Sequence, residues 1–338
     1  GPCSGWPSPP RRAPALVRAA PQAPNLTDDQ ALPLMSARQA AELVAMLDDP
    51  DLAFLGDWRS NATFLLELNA RLVSGPFATV DGFLRDALAR DLHQELLNMS
   101  DAGEFQLRGP VFNASAAKAV AYLESGSPSA RCSALQPARG KRARSRYSEL
   151  AQRAGSTFSR GSPALNAVLA GFHSEAWARA LNVLMVGTGA RLPEQSGKDV
   201  TLPVVKQYAP GDYEELHSDA ESRDRRVLAL NYWLAAEWEP AFGGAFLWCG
   251  HVQDRQMFVQ AGRAAPAFNR ADLFALHAHT LHAIEVVEAE SPPRFAFTSW
   301  LRTTASYLDI GGHQDALRRR QATAVANNSA KPRLAGEL

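Results

Sequence analysis

The sequence predicts an α+β fold in which a helical N-terminal half packs on an all-β, jelly-roll C-terminal half. Three observations lead to this prediction. The chain has 338 residues, of which 46% are hydrophobic, and this is enough to bury a sizeable core. Apolar residues recur at helical spacing in the first half, and short strand-like segments between turn residues follow from Thr201.

The first half is expected to be helical after an irregular start. Residues 1–32 are rich in Pro, Ala and Arg without apolar periodicity, which indicates a disordered leader. Ser36 is an N-cap candidate for a helix over 36–49, and Phe77–Leu84 is expected to form a short strand. Further helices are predicted over 61–72, 84–98, 147–154 and 163–185.

The second half is predicted to be built from strands. Its candidate segments are short, rich in Val, Leu, Phe, Tyr and Trp, and bounded by Gly, Pro, Asn or Asp. They are 201–208, 226–234, 244–249, 271–276, 281–288 and 294–302. Many short strands with turns between them are typical of a β-sandwich or jelly roll.

These patterns divide the chain into five segments. They are the leader 1–32, a helical N-terminal region 33–75, helical support over 76–198, the β domain 199–304 and a C-terminal tail 305–338. A Ser-, Pro- and Arg-rich insertion at 124–146 ends in a basic run. We interpret this insertion as a solvated loop; the alternatives are a docking site for an acidic partner or a localisation signal.

Composition excludes several classes of protein. Lys plus Arg and Asp plus Glu are both 35, so the net charge of zero argues against binding nucleic acid through bulk positive charge. The sequence has no apolar run of about eighteen residues, so no membrane span is predicted. Three scattered cysteines are too few for a disulfide scaffold or a zinc site, and at most one disulfide can form.

Glycosylation sequons favour the secretory pathway or endoplasmic reticulum over the cytoplasm. The chain has eleven Asn, and five of them begin an Asn-X-Ser/Thr sequon, which exceeds what Ser and Thr frequency alone would give. These are Asn25, Asn61, Asn98, Asn113 and Asn327. The alternative is that the sequons arise by chance in a cytoplasmic protein.

The histidines suggest a metal site. His217 and Asp219 lie two residues apart, so on a strand both side chains point to one face. A second histidine from another strand would complete a 2-His-1-carboxylate triad, which suits non-heme Fe(II). Three candidates follow in His277, His279 and His282. A zinc hydrolase is the weaker alternative, because no His-Glu-X-X-His motif occurs.

Residues 199–304 contain an ordered series of motifs. These are Tyr208-X-X-Gly211, His217-X-Asp219, the strand before Trp238, Gly243-Gly244, Asn269-Arg270 before Phe274, His282-X-Ile284, and Arg294 ahead of Trp300. In this series the chain resembles the 2-oxoglutarate- and Fe(II)-dependent dioxygenases of the prolyl 4-hydroxylase type. The family fold is a double-stranded β-helix, that is, a jelly roll with supporting helices.

The resemblance implies iron ligands at His217, Asp219 and His282, with His279 as the second choice for the last position. It also implies Fe(II), 2-oxoglutarate as cosubstrate, and ascorbate. Arg294 is the expected partner of the distal 2-oxoglutarate carboxylate, because an arginine can bind a carboxylate with two charge-assisted hydrogen bonds. Tyr208 and Thr298 are further candidates for cosubstrate binding, and Asn231 or Tyr232 for the pocket wall.

The implied reaction is hydroxylation of an unactivated C–H bond, with succinate and CO₂ as co-products. The resemblance points to a prolyl residue in a polypeptide as substrate. Two alternatives remain: the same chemistry on another residue or a small molecule, and a jelly-roll binding module that has lost catalysis. A binding module would have no reason to keep all four of His217, Asp219, His282 and Arg294. Their presence together therefore argues against this alternative.

Overall fold

Helices cover one side of a folded antiparallel sheet in the computed structural model of the chain. The structure describes residues 34–74, 77–109, 122, 128–137, 143–150, 162–188, 203–219, 226–252, 257–276 and 281–302. All of them belong to one compact unit, Leu32–Leu338. The expected leader 1–32 and tail 305–338 lie outside the described residues.

The helices match the apolar periodicity of the first half. They are α1 (Ala37–Leu47), α2 (Ala62–Ser74), α3 (Asp86–Asp101), α4 (Pro128–Ala134), α5 (Pro163–His173) and α6 (Glu175–Leu184), with 3₁₀ turns at Pro50–Leu52, Asp57–Ser60 and Pro240–Phe242. Ser36 caps α1 in a capping box with Gln39, as expected. The helix predicted over 163–185 is two helices, because Ser174 is extended and its side chain caps α6.

The strands are short and all pair antiparallel. They are β1 (Ala78–Asp81), β2 (Phe105–Arg108), β3 (Ser145–Leu150), β4 (Val204–Tyr208), β5 (Tyr213–Ser218), β6 (Arg226–Leu234), β7 (Phe246–Val252), β8 (Met257–Ala264), β9 (Arg270–Ala275), β10 (Leu281–Ile284) and β11 (Arg294–Arg302). All six strand segments predicted in the second half therefore contain a strand.

The sheet folds into two walls. The large wall has the order β1-β9-β6-β11-β4, and the small wall has the order β5-β10-β7-β8. Strand β3 joins them because it pairs with β4 on one side and β5 on the other. This arrangement confirms the predicted jelly roll with supporting helices.

Side chains that alternate in direction along the strands of the large wall separate two hydrophobic cores. On β6, Leu230 and Tyr232 face the helices and belong to the core beneath α1, α2, α3, α5 and α6. Ala229 and Trp233 face inward and pack between the walls with Phe246 of β7. Because successive side chains on a strand point to opposite faces, one strand supplies both cores and leaves the inward face free to build a site.

Part of the insertion 124–146 is helical where a loop is predicted. Residues 128–134 form α4, which packs against β8, and a disulfide joins Cys132 of α4 to Cys249 of β7. This disulfide agrees with the limit set by three cysteines. The expectation of a solvated loop is therefore wrong for residues 128–134.

The helix predicted over 147–154 is also wrong. Residues 145–150 form β3, whereas 151–154 lie outside the described residues. β3 gains hydrogen-bonded neighbours on both edges, and these are distant in sequence. Pairing in the folded state has overridden the local helical pattern.

None of the described helices combines the length and the apolar character that crossing a bilayer requires.

Candidate metal centre and cosubstrate pocket

Two histidines and an aspartate converge at one end of the small wall. His217 lies near the end of β5, Asp219 directly follows that strand, and His282 lies on β10, paired in register with His217. One potential ligand atom from each residue lies within 4.8 Å of those of the other two. The structure therefore brings together the three residues that the sequence predicts as iron ligands.

Neighbouring groups fix the orientation of this triad. The Nδ1–H of His217 donates to the carbonyl oxygen of Glu215 at 2.6 Å, so Nε2 faces Asp219 at 3.6 Å. The indole Nε1–H of Trp300 donates to Oδ2 of Asp219 at 2.7 Å. Hydrogen bonds of this kind select the histidine tautomer and orient the carboxylate before a metal binds.

The triad is electrostatically coupled. Burial alone would raise the pKa of Asp219, but His282 and His217 hold it well below its usual range. Burial alone would lower the pKa of His217, but the hydrogen bond and charge of Asp219 raise it to about 9. An ionised carboxylate beside two imidazoles is a donor set suited to a divalent metal, which replaces the bound proton.

The triad opens into a cavity of about 720 Å³ between the two walls. Its lining side chains are mainly polar or aromatic. They include Arg144, Tyr147, Lys206, Tyr208, Glu214, Arg226, Asn231, Trp233, Ile284, Thr298 and Trp300, besides the triad itself. The cavity is large enough for a small cosubstrate and part of a second molecule.

A buried ion pair forms one side of this cavity. Lys206 of β4 donates to Oε1 of Glu214 at 2.7 Å, and Tyr208 donates to the same oxygen at 2.5 Å. Burial would raise the pKa of Glu214, but Lys206 holds it below its ordinary value. The ammonium also lies 4.5 Å from the centre of the Tyr147 ring. Both members of the pair are therefore charged, and together they add no net charge.

Arg294 lies beneath the cavity without a partner. Its side chain is 2% exposed, and none of its three guanidinium nitrogens has a hydrogen-bond partner among the described residues. It packs against the rings of Tyr208 and Trp233, at 4.8 and 5.3 Å from their centroids. Burial lowers its pKa to about 10, so it remains charged at neutral pH. A buried, unpaired cation is costly unless an anion binds to it.

Gly244 makes room for this guanidinium. A Cβ atom at Gly244 would lie 2.6 Å from Cζ of Arg294, and its φ of +67° favours glycine. Gly244, the second glycine of the Gly243-Gly244 pair, therefore has a physical role beside Arg294.

The remaining predicted residues fall on both sides of the wall. Thr298 and Asn231 line the cavity, whereas Tyr232 faces the helical core and donates to Asn269. Tyr208 also lines the cavity, but its hydroxyl donates a hydrogen bond to Glu214. His277 and His279 lie outside the described residues.

Sequence reasoning did not identify Lys206 or Glu214. Each is a charged residue on a mostly buried strand, and such a residue is rarely buried without a partner. Their pairing depends on how β4 and β5 fold against each other, which local sequence does not specify.

One family model matches the part of the chain that contains this site. Residues 204–302 match the family model of the 2OG-Fe(II) oxygenase superfamily. The match includes all the residues expected to bind metal or cosubstrate, which are His217, Asp219, His282, Arg294, Tyr208 and Thr298. A search of curated proteins found no match.

Several solved structures are similar to this chain at low identity. A prolyl 4-hydroxylase from Pseudomonas putida has 17% identity and a TM-score of 0.45, covering 71% of this chain and 98% of its own. A prolyl hydroxylase from Trichoplax adhaerens, in complex with a hypoxia inducible factor peptide fragment, has 18% identity and a TM-score of 0.44, covering 74% and 92%. Prolyl 4-hydroxylases from Phytophthora capsici have 14% identity and a TM-score of 0.44, covering 90% and 81%.

The assignment rests on the family model and on the chemistry of the cavity. The His217, Asp219 and His282 donor set fits Fe(II), and the unpartnered Arg294 fits a carboxylate. Residues 204–302 are therefore similar to the 2OG-Fe(II) oxygenase superfamily, and the match supports a 2-oxoglutarate-dependent dioxygenase.

Proposed function

We propose that this dioxygenase hydroxylates a prolyl residue in a polypeptide and releases succinate and CO₂. The observation that carries the cosubstrate part is Arg294, a buried guanidinium without a partner in the described chain, below the cavity of the triad. The motif series over residues 199–304 supports the prolyl part. The chemistry itself is general to the superfamily, so the substrate is the part most in need of a test.

The triad is proposed to hold Fe(II) through His217, Asp219 and His282. Two imidazoles and one carboxylate are the donor set that suits non-heme Fe(II). Fe(II) held there would supply the chemistry that couples oxidation of 2-oxoglutarate by O₂ to insertion of one oxygen atom into a C–H bond. The chain's contribution is to orient these groups and to keep water away.

Arg294 is proposed to bind the distal carboxylate of 2-oxoglutarate. The rings of Tyr208 and Trp233 cover its guanidinium, so water is excluded and the charge-assisted hydrogen bonds are strengthened. Thr298 shares the inward face of β11 and offers a hydroxyl to the same ligand. Tyr208 contributes its ring, and the Lys206–Glu214 pair holds its hydroxyl in place.

Aromatic side chains support a prolyl substrate. Tyr147 and Trp300 both line the cavity that contains the triad. Flat aromatic faces pack well against an aliphatic ring such as that of proline, and they need no hydrogen bond from it. Another residue type or a small molecule remains the alternative substrate.

The test is a mass-spectrometric search for oxygen addition. The full chain is incubated with Fe(II), 2-oxoglutarate, O₂ and a set of proline-containing peptides, each paired with a copy in which alanine replaces proline. We expect a +16 shift on proline with equal succinate release, and no shift on the alanine copies. Succinate release coupled to a small molecule, with no peptide modified, would contradict the prolyl assignment.

The cosubstrate role of Arg294 has its own test. Truncating one partner of a buried charged pair costs several kcal/mol, so Arg294→Ala should raise the KM for 2-oxoglutarate about 100-fold. Arg294→Lys should have an intermediate effect, because it keeps the charge but loses the two-pronged geometry. An unchanged KM in Arg294→Ala would remove Arg294 from the cosubstrate site.

We also propose the secretory pathway or endoplasmic reticulum as the location. Two sequon residues, Asn61 and Asn98, are exposed, and the Cys132–Cys249 disulfide is typical of oxidising compartments. A mass decrease on treatment of the native protein with an N-glycosidase would support this location. Unmodified sequons together with reduced cysteines would favour the cytoplasm.

Ascorbate is proposed as an accessory reductant, on the family resemblance alone. Omitting it from the assay should lower the number of turnovers before the enzyme loses activity. A progress curve that ascorbate does not change would contradict this role.

A further inference from the structure

The insertion packs on the back of the strands that carry the two histidines of the triad. On β10, His282 lines the cavity, so its neighbour Ala283 points to the opposite face of the small wall. Ala283 belongs to a third hydrophobic core on that face. The same core contains Leu216 of β5 and, from the insertion, Cys132 and Leu135. The insertion therefore covers the outer face of the small wall directly behind the triad.

The first tie between the insertion and a ligand strand is the disulfide. Cys132 of α4 is bonded to Cys249 of β7, and Cys249 is paired in register with Leu281 of β10. Leu281 immediately precedes His282 in the sequence. Both cysteines are buried, so the bond lies inside the third core. The disulfide therefore holds α4 against the small wall beside one of the metal ligands.

The second tie is a buried carboxylate on the other side of His282. Glu285 accepts a hydrogen bond from Nη1 of Arg131 in α4 at 3.0 Å, and two from Arg263 of β8 at 3.1 and 3.0 Å. The hydroxyl of Tyr122 also hydrogen-bonds to this carboxylate. Removing one partner of a buried ion pair is strongly destabilising, because a charge is left uncompensated. Glu285 is therefore held firmly between α4 and β8.

The position of β10 depends on these two ties because its pairing with β5 is irregular. His282 is paired with His217, but the register with β5 shifts before Ile284. Pairing with β7 stays in register over the whole strand, from Leu281 to Ile284. The distance between the two histidines is therefore set by whatever holds β7 and the residue after β10 in place, and α4 is tied to both.

The insertion also contacts the second ligand strand. The carbonyl oxygen of Leu135 accepts a hydrogen bond from the N–H of Leu216 on β5 at 2.9 Å. Leu216 immediately precedes His217 in the sequence. One short segment of the insertion is thus attached beside both histidines of the triad, from the face that points away from the cavity.

We infer that residues 131–135, here called the brace, position His217 and His282 for metal binding. Arg131 and Cys132 are then positioning residues that lie outside the cavity and contact no metal ligand side chain. This inference rests on the proposed role of the triad as an Fe(II) site and adds the residues that control its geometry. Releasing the brace lets β10 shift relative to β5, which weakens metal binding while all three ligands are kept.

The test measures metal binding by the folded apoprotein. The Arg131→Gln/Cys132→Ala/Cys249→Ala variant removes both side-chain ties of the brace. Fe(II) is titrated without oxygen, well below the lowest Tm, and Co(II) is titrated in parallel because its visible spectrum reports coordination geometry. Groups that orient metal ligands are worth about 10- to 100-fold in affinity, so the variant should raise the Kd for Fe(II) at least about 10-fold and change the Co(II) spectrum.

Single variants locate the effect and decide the inference if the triple variant does not fold. Arg131→Gln keeps the disulfide and leaves Glu285 paired with Arg263, so it should stay folded and raise the Kd for Fe(II) about 3-fold. Arg131→Lys keeps the positive charge and should restore most of the affinity. Arg270→Gln is the matched control, because Arg270 is 24% exposed against 29% for Arg131 and loses one ion pair, to Asp81 at 2.6 Å in the large wall.

Each outcome decides the inference. A lower Tm with an unchanged Kd and Co(II) spectrum would show that the brace only stabilises the fold, and would overturn it. Equal weakening of metal binding in Arg270→Gln would also overturn it. A wild type that binds neither metal would overturn both the brace and the proposed metal centre. A wild type that binds Fe(II) but hydroxylates no prolyl peptide would overturn the proposed substrate alone.

Discussion

At the scale of single residues, Trp300 is expected to matter through Asp219. Its indole N–H holds Oδ2 of the aspartate at 2.7 Å, whereas phenylalanine keeps the ring but not the donor. Loss of such an outer hydrogen bond typically weakens metal binding 10- to 100-fold, so Trp300→Phe should raise the Kd for Fe(II) at least about 10-fold. The measurement is a metal titration of the apoprotein.

Trp238→Phe is the matched control for Trp300→Phe. Trp238→Phe also removes one indole hydrogen bond, which Trp238 donates to the carbonyl of Gly243 at 3.0 Å. Trp238 does not contact the triad. Its variant should bind Fe(II) like the wild type. Equal weakening in both variants would show that Trp300 acts through general stability and does not orient Asp219.

Gly244 allows a second comparison at single residues. Gly244→Ala places a Cβ against Arg294 and should raise the KM for 2-oxoglutarate about 10-fold, because the guanidinium must shift. Gly82 has a similar φ of +63° but nothing within 4 Å of the added Cβ, so Gly82→Ala suffers the same backbone strain alone. Equal KM values in the two variants would contradict the packing role.

Asp272 predicts a pH dependence of stability. Burial raises its pKa from 3.8 to about 6, although Thr79 and Trp233 donate hydrogen bonds to it. The folded state therefore holds a proton that the unfolded state releases. The proton on Asp272 stabilises the folded state fully below pH 3.8, and this stabilisation is lost as the pH rises through about 6.

The Asp272→Asn variant isolates this effect. Between pH 4 and 7, the wild type should lose about 2 kcal/mol of unfolding free energy relative to the variant, which is most of the effect of roughly two pKa units. Denaturant unfolding at several pH values measures the difference. Parallel stability profiles for the two proteins would rule out a raised pKa at Asp272.

At the scale of elements, the sequence predicts most helices and strands because their patterns are local. Helix α1 has its capping box, and β6 and β11 are continuous apolar strands. The helix predicted over 147–154 is wrong because nothing in the local sequence reveals that β3 has partners on β4 and β5, which follow more than fifty positions later. Short elements stabilised by distant pairing are the ones that local patterns miss.

The disulfide gives a prediction for α4. Cys132 and Cys249 are 117 residues apart, so their bond should stabilise the fold by about 2–5 kcal/mol. Dithiothreitol should lower the Tm of the wild type, whereas a Cys132→Ala/Cys249→Ala variant should start with a lower Tm and not respond. A wild-type Tm that is insensitive to dithiothreitol would mean that the bond adds little stability.

At the scale of the whole molecule, the fold assembles the site from segments that are far apart in sequence. The triad could be predicted because two of its members lie in one three-residue motif and the motif series restricts the third. The Lys206–Glu214 pair could not, because it depends on the turn between β4 and β5. The same holds for Arg144, which reaches the cavity only because β3 joins the two walls.

The central claim is that His217, Asp219 and His282 form a centre for Fe(II)-dependent oxidation of 2-oxoglutarate. The most direct measurement is succinate formation by the full chain with and without Fe(II), compared with the Asp219→Ala variant. His93→Gln is the control, because His93 packs on Phe268 and Phe295 away from the triad. We expect Fe(II)-dependent succinate from the wild type and the control, and none from Asp219→Ala. Succinate formation that persists in Asp219→Ala, or none from the wild type with any peptide or small molecule tested, would contradict the claim.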